Sequence, residues 1–318
     1  MTISARLTGM MIPSEVIALA DAQDGIVTRA QILAAGMTES ALKHASRTGG
    51  SWQRVGRGIY ATFTGPLQLR HRLRAALLYA GPEAMVTGAE ACRAYGLEYV
   101  PHGAQPVILV PEYVHRGASP FVRVQRTRRM PERRVIKEIP VAAPERAVVD
   151  ACPADVSLRA ARALLCEAVQ KAMATPAQIT DELRSARWPG SQVARRALDD
   201  VVVGCRSAPE CELRDAIAMS SELGEPLWNV PLPDTGGRTL IPDACWPDAR
   251  VVVEIDSAQW HRFGDRVEAT ERRRAAYAAL GWTVVPVSPR RLRAEPVAVL
   301  AQIEAAVRAG RTRLVAGA

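Results

Sequence analysis

The clearest alternation of apolar and polar positions in the chain is the run from Val251 to Asp256, in which β-branched residues alternate with residues that include two carboxylates. A period of two is typical of a strand, and it places Glu254 and Asp256 on the same face. By the usual rise per residue, these carboxylates lie about 7 Å apart along the strand. The pattern therefore predicts a buried strand that carries two acidic side chains on one face.

A third carboxylate, Asp243, follows Pro242 beside a preceding strand-like segment. A hairpin turn over 246–250 would bring Asp243 close to Glu254 and Asp256. Three clustered carboxylates repel one another, and a divalent cation that prefers oxygen ligands neutralises such a group. The pattern predicts a site for Mg²⁺ or Mn²⁺. Taken singly, Asp243 or Glu254 has an alternative role as a turn cap or as the partner of an arginine.

Four motifs in the C-terminal third resemble the very-short-patch-repair-like endonucleases of the PD-(D/E)xK nuclease superfamily. They are S-A-P-E-C-E-L-R at 207–214, I-P-D at 241–243, V-V-V-E-I-D at 251–256 and R-R-R-A-A-Y-A-A-L-G-W-T-V-V-P-V at 272–287. The resemblance implies a restriction-endonuclease-like αβββαβ core over residues 205–318. It also implies metal-assisted hydrolysis of phosphodiester bonds with Mg²⁺ or Mn²⁺ as the cofactor.

The same resemblance implies roles for five residues. Glu210 would approach the metal from the first helix of the core. Asp243, Glu254 and Asp256 would be metal ligands, and His261 would complete the catalytic site as a base that accepts the proton of the attacking water. Each of these five positions is therefore a candidate catalytic residue.

Three positions depart from the pattern of this family. Asp256 stands where the superfamily has a lysine, Ser257 stands where the subgroup usually has a glycine, and Thr270 lies near a position that is often acidic. The alternative is a chain that keeps the nuclease fold, has lost turnover and still binds DNA.

Residues 14–61 alternate between apolar and polar positions in a way that predicts three short helices and a β-hairpin. Thr28 and Thr38 are suitable N-cap residues for the second and third helices. The pattern predicts a winged helix-turn-helix domain over 1–65, with the wing near DNA phosphates. The side chains predicted to contact DNA here are Ser40, Lys43, His44, Arg47, Arg54 and Arg57.

This segment resembles the N-terminal winged-helix domain of AbiEi-type antitoxins of the type IV toxin-antitoxin class. The residues that carry the resemblance are G-I-V-T-R at 25–29, A-G-M-T-E-S-A-L at 35–42 and V-G-R-G-I-Y-A at 55–61. The resemblance implies binding to operator DNA and a toxin as a partner protein. The alternative is a winged helix with a purely structural or protein-binding role.

The resemblance to AbiEi-type proteins continues over residues 66–204. It implies an α+β middle domain that ends in a helical connector. Between Arg123 and Lys137 the chain is rich in arginine, and Arg126, Arg128 and Arg129 are further candidate contacts to a phosphate backbone. Such contacts would gain affinity from counterion release. The alternative is a solvated strand edge or loop.

The composition fits a multi-domain α/β protein, since the chain has 318 residues and 48% of them are apolar. Its 41 lysines and arginines exceed its 33 acidic residues and give a formal net charge of +8, which favours an anionic partner such as nucleic acid. High arginine usage in the source proteome is the alternative explanation. The six cysteines lack metal-ligand spacing, and no stretch is apolar enough to span a membrane, so we expect a cytoplasmic protein that does not bind membranes.

Together, these patterns favour a DNA-binding, Mg²⁺-dependent endonuclease of repair, restriction or phage and mobile-element defence. The expected partners are DNA, a second copy of the chain, and a toxin or defence-system protein. The main alternative is a transcriptional repressor or antitoxin whose nuclease-like domain is not catalytic. A third hypothesis is an interaction protein in which the nuclease fold serves only as a scaffold.

Overall fold

The computed structural model describes residues 6–7, 10–103, 105–186, 188–233, 239–256 and 264–316. The fold is mixed α/β and contains several separate sheets. The chain divides into two compact units. The first unit comprises Met1–Val156 and Met173–Ser191, and the second comprises Ser157–Ala172 and Gln192–Ala318.

The helices of the described residues are α1 (Ser14–Ala22), α2 (Arg29–Ala34), α3 (Glu39–Ala45), α4 (Leu69–Ala80), α5 (Gly88–Ala94), α6 (Pro144–Asp150), α7 (Leu158–Gln170), α8 (Pro176–Arg184), α9 (Trp188–Val203), α10 (Ala208–Ile217), α11 (Gly264–Ala279), α12 (Pro289–Ala294) and α13 (Pro296–Ala316). The strands are β1 (Arg6–Leu7), β2 (Met10–Met11), β3 (Ile26–Thr28), β4 (Gln53–Gly56), β5 (Ile59–Ala61), β6 (Met85–Thr87), β7 (Val107–Pro111), β8 (Arg123–Thr127), β9 (Arg133–Ile136), β10 (Ile139–Ala142), β11 (Leu227–Trp228), β12 (Leu232–Pro233), β13 (Thr239–Leu240), β14 (Ala244–Trp246), β15 (Val251–Ile255) and β16 (Thr283–Val287).

After β1 and β2, the first unit contains the three helices α1 to α3 and an antiparallel sheet of order β3-β5-β4, which are the elements of a winged helix. The predicted caps of α2 and α3 are confirmed. Thr28 Oγ1 accepts a hydrogen bond from the Gln31 amide at 3.1 Å, and Gln31 Oε1 accepts one from the Thr28 amide at 2.9 Å. Thr38 Oγ1 accepts from the Ala41 amide at 3.2 Å and starts α3 in the same way.

The rest of the first unit is built on a five-stranded sheet of order β8-β7-β6-β10-β9. Strand β8 lies at one edge of this sheet and β9 at the opposite edge. The arginine-rich run of 123–137 therefore does not form one basic surface, because its two strands lie on either side of three intervening strands. Sequence proximity had suggested a single concentration of charge, and the sheet topology divides it.

The second unit contains a sheet of order β11-β14-β15-β16. Strand β14 pairs antiparallel with both β11 and β15, whereas β16 runs parallel to β15. Helix α10 precedes this sheet, and α11 connects β15 to β16. One apolar cluster of this unit consists of Leu232, Leu240, Cys245, Val252 and Tyr277, which joins α11 to the sheet. This core places the end of β15 beside α11.

The division into units differs from the predicted boundaries of 65 and 204. The winged-helix elements and the five-stranded sheet belong to one unit, and α7 belongs to the second unit rather than to a middle domain. A buried ion pair explains the placement of α7, because Arg162 Nε donates to Asp200 Oδ2 at 2.8 Å. The sequence of α7 alone does not indicate that Arg162 is buried. The ion pair with Asp200, which is distant in sequence, accounts for its burial.

The chain returns to the first unit over Met173–Ser191, and this segment includes α8. Glu182 of α8 is buried and accepts a hydrogen bond from Arg146 Nη1 at 3.3 Å. It also forms an ion pair with Arg129. Arg146 in turn donates from Nε to Asp150 Oδ2 at 2.8 Å. The returning segment thus supplies a buried acid to two arginines of the first unit.

The six cysteines are buried and carry free thiols. Among the helices of the described residues, none combines the length and the apolar character that crossing a bilayer requires.

Candidate functional site

Helix α3 presents polar side chains on the face opposite its core contacts. Ala41, Leu42 and Ala45 are buried against the winged-helix core, which leaves the other positions outward. The predicted DNA contacts Ser40, Lys43 and Arg47 are exposed, and His44 is partly buried.

The cations of this face are not neutralised from within the protein. Across the described ranges, neither Lys43 nor Arg47 forms an ion pair with a carboxylate. Unpaired cations on an outward-facing helix are the charges that a phosphate backbone attracts.

The wing consists of β4, β5 and the turn between them. Gly58 there has a φ of +71°, a left-handed conformation that glycine adopts without steric cost. Arg54 and Arg57 of the wing are exposed. Arg54 makes a long hydrogen bond from Nε to the Gly56 carbonyl at 3.3 Å, so its charge stays available to an external anion.

The three arginines predicted to contact DNA from the middle region have different surroundings. Arg128 Nε donates to both carboxylate oxygens of Glu112 at 2.9 Å, and Arg129 pairs with Glu182. Arg126 has no carboxylate partner among the residues that the structure describes, and its Nη1 lies 3.0 Å from His115 Nδ1. Of the three, Arg126 alone has a charge that is not already matched by an acid.

The second candidate site lies where β14 and β15 meet α10. Ala244 pairs with Val253, so Asp243 and Glu254 are neighbours across the two strands. The Ile255 amide donates to Asp243 Oδ2 at 2.6 Å. Glu210 of α10 is buried, and it is close enough for its charge to raise the pKa of Asp243. The structure therefore brings together three of the carboxylates that the sequence singled out.

Glu210 is bound by protein donors on both carboxylate oxygens. The Arg206 amide and Asn229 Nδ2 donate to Oε2 at 2.8 and 2.6 Å, and Ser207 Oγ donates to Oε1 at 2.7 Å. Burial raises the pKa of Glu210, and these three hydrogen bonds oppose that increase.

Desolvation raises the pKa of Asp243 to about 7, and the nearby carboxylates of Glu210 and Glu254 act in the same direction. The hydrogen bond from the Ile255 amide and the charge of Arg273 oppose the increase. Burial also raises the pKa of Glu254, where Arg273 again opposes it. The cluster is consequently a group of acids that resist ionising together.

Two arginines of α11 lie against these acids. Arg273 Nη2 donates to Glu254 Oε1 at 2.6 Å and to the Ile241 carbonyl oxygen at 2.9 Å. Arg274 pairs with Asp256, whose amide donates to the Val287 carbonyl oxygen at 2.9 Å. These pairs were not predicted individually, although the triple arginine at 272–274 lies inside one of the four motifs.

Protein groups already match most of the described carboxylates in this arrangement. Glu254 and Asp256 are matched by guanidinium groups, and both oxygens of Glu210 accept protein hydrogen bonds. In the described part of the chain, no three His, Cys, Asp or Glu side chains are grouped so that they could hold a metal ion. His261 and Ser257 lie outside the described residues, so the Mg²⁺ or Mn²⁺ site stays a prediction.

Comparison with known families supports the N-terminal assignment. A family model described as "Transcriptional regulator, AbiEi antitoxin" matches residues 14–62. This match covers the three helices and the wing, and it includes no residue of the second unit.

Two curated proteins from Mycobacterium tuberculosis are similar to part of the chain. They are "Uncharacterized protein MT2308" of strain CDC 1551 / Oshkosh and "Uncharacterized protein Rv2248" of strain ATCC 25618 / H37Rv. Each is 31% identical over 149 residues, which is 46% of this chain and 55% of the relative. The chain thus spans about half the length of the curated relatives it matches. No solved structure matches it.

Proposed function

We propose that this protein is a DNA-binding transcriptional regulator that contacts DNA through α3 and the wing. The observation that carries the proposal is the exposed cationic surface at α3, where Lys43 of the helix and Arg47 just after its C-cap have no carboxylate partners in the described residues. The same scaffold is matched by the model of an antitoxin regulator family over residues 14–62.

The chemistry of this face suits a duplex. A helix of this kind enters the major groove and presents its side chains to base edges, while wing arginines contact phosphates. Lys43 would supply donors to bases or phosphates from α3, and Arg47 would supply them from the residues that follow this helix. Arg54 and Arg57 would fix the orientation of the domain on the backbone.

A specific regulator binds its own operator more tightly than unrelated DNA. The family match supports an antitoxin role, in which a toxin would be the partner protein. Under this proposal, the DNA upstream of the protein's own gene is the first operator to examine.

The experiment measures fluorescence anisotropy of this upstream DNA and of a scrambled duplex at fixed salt. We expect tight binding to the upstream duplex, and a loss of about tenfold or more in affinity for Lys43→Ala and for Arg47→Ala. Arg184→Ala is the matched control, because this exposed arginine of α8 is paired with Asp181 at 2.6 Å. Equal binding of both duplexes by wild type, or equal affinity of all three variants, would contradict the proposal.

A second candidate function is hydrolysis of phosphodiester bonds by the second unit. It is supported by the order of its elements and by the convergence of Glu210, Asp243 and Glu254 at the end of β15. Because Arg273 already matches Glu254, we derive no step through a metal ion.

The test for this second function incubates supercoiled plasmid and single-stranded DNA with Mg²⁺, with Mn²⁺ or with EDTA. Nicking that requires the metal and disappears in Glu254→Ala would support it. If DNA binding is retained and neither substrate is cut under any condition, the carboxylate cluster has no nuclease role in these reactions. The transcriptional regulator is then the one proposed function that remains.

A further inference from the structure

An open groove lies beside the winged helix, within the first unit. Its sides are α2, α3 and the wing, the C-terminal end of α4, and the loop 115–117. Its volume is about 1220 Å³, which is larger than the usual pocket for a small ligand. The groove continues from the polar face of α3, since Lys43 lines it and Arg47 follows that helix. We call it the basic groove, after its cationic lining residues Arg29, Lys43, Arg54, Arg57 and Arg116.

The positive charge of the basic groove is largely unmatched. Arg29 forms an ion pair with Glu39, the one acidic residue among those that line the groove. The other four cations have no carboxylate partner in the part of the chain that the structure describes. Cations gathered without counterions repel one another, and a polyanion that enters the groove relieves this repulsion.

Arg116 differs from the remaining cations of the basic groove because it lies outside residues 14–62, which the regulator family matches. Its Nε donates to the Tyr79 carbonyl oxygen at 2.8 Å, and its Nη1 makes a longer bond to the His115 carbonyl oxygen at 3.3 Å. Tyr79 Oη donates to the Gly117 carbonyl oxygen at 2.8 Å and fixes the same loop. The guanidinium is therefore held in place before any ligand arrives.

The anchoring of Arg116 leaves part of its guanidinium available. Across the described ranges, Nη2 makes no hydrogen bond, so its two protons can be donated to a phosphate oxygen. Arg126 adds positive charge next to the loop 115–117, because its Nη1 lies 3.0 Å from His115 Nδ1. A guanidinium already fixed on its loop loses little side-chain entropy when it binds a phosphate.

We infer that the basic groove seats the phosphate backbone of the DNA duplex, and that Arg116 is a phosphate contact supplied from outside the winged helix. This inference rests on the proposed function and extends its interface to the loop 115–117. The bound duplex then touches α3 and the wing on one side and Arg116 on the other. The footprint on DNA is wider than a winged helix alone provides.

Arg116 also has a structural role, because its hydrogen bond to Tyr79 places a cation at the C-terminal end of α4, where the helix dipole favours one. The experiment must separate this role from DNA contact. Arg116→Gln keeps an amide that can donate to the Tyr79 carbonyl and removes the charge. Arg116→Ala removes both. Thermal unfolding midpoints of both variants report whether the loop and α4 are still folded.

The test measures affinity for the upstream duplex between about 50 and 300 mM salt. Over this range, counterion release makes the affinity fall as the salt concentration rises. We expect both Arg116 variants to bind about fivefold more weakly at low salt. We also expect their slope of log K against log salt to be smaller in magnitude by about 0.9, the loss of one phosphate contact. Arg128→Ala is the matched control, because the charge of Arg128 is already matched by Glu112.

The measured slopes and affinities decide the question. A smaller slope of log K against log salt in both Arg116 variants, with the slope of Arg128→Ala unchanged, supports the phosphate contact. A wild-type slope in Arg116→Gln overturns it, and so does an equal loss in Arg128→Ala. If wild type does not bind DNA at all, the proposed function itself fails. If Lys43→Ala weakens binding and both Arg116 variants match wild type, the inference about Arg116 fails alone.

Discussion

Arg273 and Glu254 form a hydrogen-bonded ion pair of 2.6 Å at the end of the central strand of the second unit. The same Nη2 atom reaches the Ile241 carbonyl oxygen, two residues before Asp243. Arg273 thus links β15 to the segment between β13 and β14 that contains Asp243. A positively charged side chain occupies the place beside Glu254 where the sequence had suggested a metal ion.

Loss of Arg273 should destabilise the second unit. In Arg273→Ala, the buried Glu254 would lose its counterion, and its pKa would rise further. We expect a loss of about 2 kcal/mol in the free energy of unfolding, which is less than for a fully buried pair because 42% of the Arg273 side chain is exposed. Urea unfolding followed by tryptophan fluorescence measures it.

The control for that experiment is Arg272→Ala. Arg272 belongs to the same helix and pairs with Glu268, and both of these side chains are 66% exposed. Its loss should cost less than about 0.5 kcal/mol. Equal destabilisation of the two variants would show that Glu254 does not depend on Arg273.

Asp243 should make stability depend on pH. An unfolded aspartate titrates near pH 4, whereas desolvation raises the pKa of Asp243 in the folded state to about 7. Below about pH 4 both states are protonated, and between about pH 4 and 7 the folded state alone holds the proton. The stabilisation from this group is therefore full below pH 4 and is lost as the pH rises to about 7.

Asp243→Asn removes this dependence and keeps an oxygen that can accept from the Ile255 amide. We expect the variant to gain on wild type as the pH rises from 4 to 7, by at most about 4 kcal/mol. Asp248→Asn is the control, since Asp248 is 58% exposed and pairs with Arg311. Urea midpoints across the pH range measure the difference, and a constant gap between Asp243→Asn and wild type would contradict the assignment.

Arg162→Ala should be among the most destabilising single substitutions in the second unit. The side chain of Arg162 is 4% exposed, and that of its partner Asp200 is fully buried. Removing the guanidinium leaves a buried carboxylate with less compensation, which costs about 3–5 kcal/mol. Arg196→Ala, which removes a pair to Asp215 with a 47% exposed arginine, should cost less than about 1 kcal/mol. A small effect of Arg162→Ala in calorimetry would mean that α7 is not held by this pair.

Gly56 at the end of β4 should not tolerate a larger residue. A Cβ atom there would lie 2.2 Å from Phe121 Cε1, so the ring would have to move. We expect Gly56→Ala to cost about 1–3 kcal/mol through overpacking. Gly65→Ala is the control, because its Cβ would meet only an ordinary contact of 3.9 Å with Phe63. Thermal unfolding of both variants distinguishes them, and equal midpoints would contradict the close packing of the wing.

Local patterns in the sequence were sufficient for local structure. The alternation from Val251 predicted β15, and Thr28 and Thr38 predicted the starts of α2 and α3, because caps and strand periodicity depend on neighbours in the chain. Asp243 was also placed correctly beside Glu254, since the turn between β14 and β15 is short.

Long-range pairing could not be predicted in the same way. No local signal indicates that Arg273 faces Glu254 or that Arg129 faces Glu182, because each pair joins elements that are distant in sequence. The division of the basic run between β8 and β9 depends on strand order, which charge patterning does not encode. The assignment of α7 to the second compact unit has a similar basis, because its Arg162 pairs with Asp200, which is distant in sequence.

The returning segment Met173–Ser191 has a consequence for biosynthesis. The ribosome makes the N-terminal residues first, at about 5–20 residues per second. Glu182 emerges only after α7 of the other unit has been made. For a few seconds, Arg146 and Arg129 exist in a nascent chain that lacks the acid they share. The first unit therefore forms the ion pairs of Arg129 and Arg146 with Glu182 late in synthesis. A ribosome-bound chain that ends before α8 should be more sensitive to proteases than one that includes α8.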